Sequence, residues 1–326
     1  MALPLAGQYA LVTGASRGIG RGIALQLAQA GATVYITGRE PAKSDTTVET
    51  TLPALQQTAR DIEDRGGKAV AVYCDHSNDD DIKRLFDQIE NETAGCLDIL
   101  VNNAYSAIQD FRKASGAPFF ELEPEFWDSV NSVGLRNNYV CAVYAARMMV
   151  KRKTGLIVNI SSAGGLQYVF NVAYGVGKCA VDRMSADMAV ELKPYNVTCV
   201  TVWPGTVRTE MAQLMQQRDE IATVLKIDKA LADKQVATAE SPEFSGLGIV
   251  ALARDQRKLR KSGKILLTYD LAREYGFKDI DGKMPGDMRQ LSTALEFLGW
   301  KRLAGWIPGF IRVPLFGLHM ASYKFL

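Results

Sequence analysis

Histidine is scarce in this sequence: His76 and His319 are the only two among 326 residues. A histidine base is therefore poorly supported. The five cysteines, Cys74, Cys96, Cys141, Cys179 and Cys199, are odd in number and scattered without a Cys-x-x-Cys pair. That suggests neither a disulfide framework nor a zinc site, so a reduced, intracellular compartment is expected. Charge of one sign is also lacking. The net charge is +2, which is no nucleic-acid signature. The start, Met1 to Gln8, has neither a basic segment nor a long apolar one, so a signal peptide is not expected. The longest late uncharged run, Val313 to Tyr323, falls short of the roughly 20 apolar residues that span a bilayer. Repeats and low-complexity stretches are absent.

What remains is a globular composition, 47% hydrophobic and 23% charged, long enough for one large α/β domain or two small ones. Apolar strand-like runs alternate with helix-period segments. Strands are expected at Tyr9–Thr13, Thr33–Thr37, Ala69–Cys74, Leu97–Val101, Leu156–Ile160, Val197–Val202 and Gly263–Thr268, with a long helix from about Pro124 to Arg152. This order predicts a Rossmann-like, doubly wound parallel sheet with helices on both faces, binding ligands at the carboxyl ends of its strands.

The first strand breaks into Gly14-Ala15-Ser16-Arg17-Gly18-Ile19-Gly20 before a helix-period segment. Glycines at such a turn let the backbone approach a pyrophosphate, whose charge the helix N-terminus favours. The second strand ends at Gly38-Arg39. A carboxylate in that zone suits NAD, whereas an arginine suits a 2′-phosphate. Arg39, with Arg17 in the glycine loop, favours NADP(H); the adjacent Glu40 is the competing residue. Asp75 and Asn102 sit at the ends of the third and fourth strands.

The fifth strand delivers Ser161-Ser162, and Tyr174 and Lys178 follow at a spacing that stacks both side chains on one helical face. A phenol titrates near 10, so acting near neutral pH requires about 3 units, or roughly 4 kcal/mol, in favour of its ionised form. An adjacent ammonium has the right sign to lower the phenol's pKa. A serine hydroxyl at a strand end can hydrogen-bond the substrate oxygen while the tyrosine exchanges its proton. Tyr-x-x-x-Lys alone is common, and most copies are exposed surface residues.

Together these residues resemble the short-chain dehydrogenase/reductase family, over about Gly7 to Tyr269. Thr13 to Gly20 is similar to its TGxxxGxG cofactor loop, Asn102-Asn103-Ala104 to its NNAG segment, Tyr174 and Lys178 to its YxxxK pair, and Pro204-Gly205 to its PG motif. The resemblance implies a catalytic domain over 1–270 and an extension over 271–326. It implies Tyr174 as general acid/base, Lys178 as its electrostatic partner and ribose ligand, and Ser162 as the residue positioning the carbonyl, with Ser161 the alternative. Gly14, Ser16, Arg17, Gly18, Ile19, Gly20, Arg39, Asp75, Asn102, Tyr174, Lys178, Val207 and Thr209 would hold the cofactor. The implied activity is NADPH-dependent reduction of lipophilic ketones, aldehydes or quinones, with steroids and xenobiotic carbonyls as substrate classes, by a homo-oligomer. A dinucleotide-binding regulator with little turnover is the other reading.

Two positions depart from the family pattern. Tyr105 stands where NNAG has its last glycine. The family's catalytic asparagine, seven residues after the helix tryptophan, is Gly134 here, counted from Trp127; Asn131 is the candidate substitute. The polar, helix-prone stretch Glu210 to Glu240 is placed to cover the site. From Phe297 onward the tail carries Lys301, Arg302, Arg312 and Lys324 with seven aromatics and no acid. That composition suits a membrane interface, such as the cytosolic face of the endoplasmic reticulum. Packing over the sheet, completing the pocket or meeting a partner subunit is the competing expectation, since Pro308 and Pro314 interrupt any continuous helix.

Overall fold

A computed structural model describes residues 3–41, 54–107, 110, 114, 117–225, 227–297, 300–314 and 317. The expected surface excursion at 41–53 lies outside them but for Pro41, as do His319 and the chain end at 318–326. Seven strands form a parallel sheet: β1 (Tyr9–Val12), β2 (Thr33–Gly38), β3 (Lys68–Tyr73), β4 (Ile99–Asn102), β5 (Gly155–Ile160), β6 (Val197–Trp203) and β7 (Ile265–Leu267). They lie in the order β3-β2-β1-β4-β5-β6-β7. The chain reverses its direction of winding between β1 and β4, which opens a crevice at the carboxyl ends of these two strands.

Both sheet faces are covered because the central strands are apolar on both sides. Helix α1 (Gly18–Gln29) and α2 (Leu55–Asp64) cover one face, and α3 (Asp79–Glu92) covers the other. The long helix expected over 124–152 is instead two, α4 (Glu125–Asn131) and α5 (Asn137–Arg152), because Val133 and Gly134 leave helical geometry between them. Helix α6 (Val172–Leu192) packs beside α5. The polar stretch after β6 forms three short helices, α7 (Glu210–Gln217), α8 (Ile221–Leu225) and α9 (Lys229–Ala237). Ser241-Pro242 opens α10 (Pro242–Arg254) as expected from a proline in the first helical turn.

Helix α11 (Thr268–Tyr275) runs straight across the boundary expected at residue 270. Leu271 and Ala272 are buried, Leu271 within the same core as Ile249 and Leu252. The extension is thus rooted in the core. Beyond it, α12 (Leu291–Phe297) and α13 (Lys301–Ala304) fold back. Gly286 N–H donates to the Thr238 carbonyl, and Lys234 of α9 pairs with Glu296 of α12 at 2.6 Å. Residues 289–291 and 311–313 bond antiparallel, and Arg312 binds both Asp270 and Asp287 while Arg289 binds Asp270. The extension therefore packs against the end of the 210–240 segment. It also leaves Trp300, Trp306 and Phe310 projecting outward, at 60%, 86% and 82% exposure. Among the described residues, no helix is long and apolar enough to cross a membrane.

Candidate active site

Strand β5 delivers the two serines in opposite directions, as the alternation of a strand dictates. Ser161 is buried and its hydroxyl donates to the Lys178 carbonyl at 3.2 Å, fastening β5 to α6. Ser162 faces the other way. Its oxygen accepts from Gly164 N–H at 3.1 Å, and its side chain hydrogen-bonds the Tyr174 hydroxyl. Of the two serines, Ser162 is the one that meets the tyrosine.

Helix α6 begins where the Asn171 side chain accepts from the Tyr174 N–H at 2.9 Å, an N-cap that fixes Tyr174 in the first turn. Lys178 follows one turn later on the same face, with Nζ donating to the Ile160 carbonyl at 3.2 Å. Its ammonium lies 5.8 Å from the centre of the Tyr174 ring and 4.9 Å from that of Tyr105. Phe170, held at φ +61, packs edge to face on Tyr174 with ring centres 4.9 Å apart. Ala107, Val130 and Ala173, with the partly buried Tyr105, Phe126 and Val169, complete an apolar surround.

The charge balance differs from the sequence expectation that Lys178 would make the phenol more acidic. Burial pushes Tyr174 up to about 12; the Ser162 hydrogen bond pulls the other way, and the Asp182 carboxylate adds to the rise. Burial brings Lys178 down to about 8, against the opposing pull of Asp182. Desolvation acts on both members of the pair and is the largest cause at each.

The glycine loop lies at the crevice. Gly14 is at φ +65, and a Cβ there would stand 2.6 Å from the Ala104 backbone, so the turn tolerates only glycine. Asn103 holds the loop by donating to the carbonyls of Thr13 and Gly14. Arg17 stands in extended geometry just before α1, and Gly18 N–H donates to the Glu210 carboxylate at 2.8 Å. Negative oxygen is thus already favoured at this helix end. Ser16 points across the end of β2, where its Oγ would lie 2.1 Å from a Cβ at Gly38, and Arg39 is exposed next to it. Burial opposes ionisation of Asp75, but the two Ser77 donors and Arg39 together hold its carboxyl below the usual range. Ile19 packs inward against the core. These donors and the tight loop fit a dinucleotide.

Three expected cofactor residues also make contacts within the protein itself. Asn102 is fully buried, and its amide donates to the Asn138 carbonyl and to Asn159 Oδ1, clamping β4 to β5 and α5. Thr209 caps α7 by accepting from Ala212 N–H and lies against Gly18. Val207 pairs with Glu240, which also accepts from Gly205 N–H, Thr268 and Ser245. Asn131 does not take the place left at Gly134. Its amide donates to the carbonyls of Trp127 and Ala173, and its oxygen lies against Gly177, joining α4 to α6.

The family model described as short chain dehydrogenase matches residues 8–220. The chain belongs to the short-chain dehydrogenase family. It is 47% identical over 328 residues to the mouse protein named dehydrogenase/reductase SDR family member 1, and 46% identical over 330 residues to the human protein of that name; each match covers all of both chains. The extension is therefore shared with these relatives. Among solved structures, a variant of actinorhodin polyketide ketoreductase with NADPH superposes with a TM-score of 0.64 at 27% identity, over 82% of this chain and 97% of that one. Short-chain dehydrogenases are oxidoreductases that use a nicotinamide cofactor, and this protein is one of that class.

Two residues that brace the elements around the site, Asp182 and Glu240, have no strong signal in sequence. Asp182 lies one turn beyond Lys178 and accepts from the Trp203 indole at 3.0 Å, tying α6 to the end of β6. Its i,i+4 spacing from Lys178 was the available clue. Glu240 had none, because the groups it binds come from the loop after β6, from α10 and from α11.

Proposed function

We propose that the protein is an NADP(H)-dependent carbonyl reductase acting on lipophilic ketones, aldehydes or quinones, with steroids and xenobiotic carbonyls as the substrate classes. The observation that carries it is the Tyr174 hydroxyl bonded to Ser162, with the Lys178 ammonium over its ring. When bound, the nicotinamide supplies the hydride. Ser162 holds the carbonyl oxygen and Tyr174 gives it a proton, while the Lys178 charge offsets the phenolate that the transfer leaves. The apolar surround of Tyr105, Phe126, Val169 and Phe170 supports a lipophilic substrate. Ser16, Arg17 and Arg39 around the end of β2 support the 2′-phosphate, and the NADPH in the ketoreductase relative agrees with it.

A second reading, a dinucleotide-binding regulator with little turnover, is favoured by one observation: Tyr105 fills the space at Gly134 where the family pattern has its asparagine. NADPH and NADH fluorescence titration, followed by loss of nicotinamide absorbance with a carbonyl panel, separates the two. Turnover that Tyr174→Phe removes supports the reductase; tight binding without turnover favours the regulator.

The projecting Trp300, Trp306 and Phe310 support peripheral contact with a membrane surface; the cytosolic face of the endoplasmic reticulum is the location we propose for it. Exposed Tyr139 on α5 and Val172, Val176 and Val190 on α6 support a homo-oligomer formed through these helices.

A further inference from the structure

The Tyr105 ring is fixed from three sides. It meets the Tyr174 ring edge to face, centres 6.0 Å apart and planes at 84°. Its face carries the Lys178 ammonium at 4.9 Å. Its edge lies against Gly134, where a Cβ would stand 2.5 Å from Cδ2 and 2.7 Å from Cε2. Gly134 cannot yield that space easily, because its turn is held at φ +135, with its N–H donating to Asn137 Oδ1 at 2.6 Å and its carbonyl accepting from Asn138 at 3.1 Å.

We propose that Tyr105 is a positioning residue for proton transfer at Tyr174: its ring face holds the Lys178 ammonium beside the phenol, and Gly134 is the space in which that ring stands. The inference rests on Tyr174 as the proton donor. An aromatic face attracts a desolvated ammonium, and among the described residues the Ile160 carbonyl satisfies one of the three Lys178 donors. Among the described residues, the titratable and charged groups that face it are Tyr174 and Asp182 from its own helix and Tyr105 from the segment after β4. Two departures from the family pattern thus become a single size-matched change. The bulky residue after Ala104 needs the residue at 134 to be small, and with both in place a ring holds the lysine where the family pattern has an amide.

Replacing the ring by a branched side chain without a π face should make the ammonium harder to keep. Tyr105→Leu and Tyr105→Phe test this in the full chain. NADPH binding by fluorescence is followed from pH 6.5 to about 9.5, across the Lys178 pKa of about 8, together with single-turnover reduction of a carbonyl. In the leucine variant the ionisation near pH 8 should move down by about half a unit or more, and in the phenylalanine variant it should stay in place. Gly134→Ala, which crowds the ring and also strains the backbone at φ +135, should move it in the wild-type background. Thermal melts establish that each variant is folded. A leucine variant that titrates with the wild type, one that moves upward because water has reached the lysine, or a protein with no ionisation in this range overturns the inference. Failure of the reductase reading looks different: no turnover in the wild type, with the binding ionisation still separating leucine from phenylalanine.

Discussion

At Tyr174 two effects of burial meet. The phenol is driven up to about 12 and the neighbouring ammonium down to about 8, so the charged partner is the group that titrates near physiological pH. The rate of carbonyl reduction should therefore fall as pH rises through about 8, where Lys178 loses its proton, and Lys178→Met should lack that limb as well as most of its activity. A pH series of initial rates checks this. Tyr174→Phe should lower turnover by about 10²-fold or more while leaving NADPH fluorescence binding within a few fold. Ser162→Ala should cost about 10²-fold. Ser161→Ala should instead lower the melting temperature, since that hydroxyl bonds the α6 backbone. The sequence named Tyr174, Lys178 and the Ser161-Ser162 pair because their types and spacing suit the chemistry. It did not separate the two serines on its own, because only the pleat of β5 against α6 decides which hydroxyl turns inward.

At the scale of elements, the loop after β6 is held at Glu240. This buried carboxylate bonds Gly205 N–H, Thr268 and Ser245, and its backbone pairs with Thr206 and Arg208 on either side of Val207. Burial raises it to about 7, with Asp279 adding to the rise against the pull of its three donors. A raised carboxylate binds its proton more tightly in the folded state than in the unfolded one. Its contribution is therefore complete below about 4.5 and lost as pH rises through about 7. Between those values wild-type stability should fall relative to Glu240→Gln, which urea midpoints at pH 5 and pH 7.5 would show. A fall of the same size in the variant would assign the trend to other groups. The start of α10 was legible from its first-turn proline, Pro242, although the Ser241 hydroxyl bonds Asp279 and does not cap the helix. The break at 132–136 was not, because the run from Trp127 to Arg152 keeps helical composition and only the Tyr105 ring against Gly134 reveals why it bends.

For the whole molecule, the extension is what sets this chain apart from an ordinary-length member of its family. Truncation after Tyr269 should leave a protein that does not fold, since it removes Leu271 and Ala272 from the core; losing a buried leucine side chain alone costs about 2–5 kcal/mol. Removing 297–326 should leave NADPH binding intact and abolish sedimentation with anionic vesicles, if Trp300, Trp306 and Phe310 make the membrane contact. Unchanged sedimentation would sink that proposal.

The sequence by itself determined the sheet, the glycine loop and the pairing of Tyr174 with Lys178 on one helical face. Each rests on local relations: strand period, a strand-to-helix turn and residues one helical turn apart. The tertiary structure alone decided the rest: that burial and not charge governs Tyr174, that Asn102 and Asn131 are clamps, that Tyr105 and Gly134 share one space, and that the extension begins inside the core. Each of these depends on side chains far apart in the chain competing for the same volume, the same donors or the same access to water, and no local pattern encodes that competition.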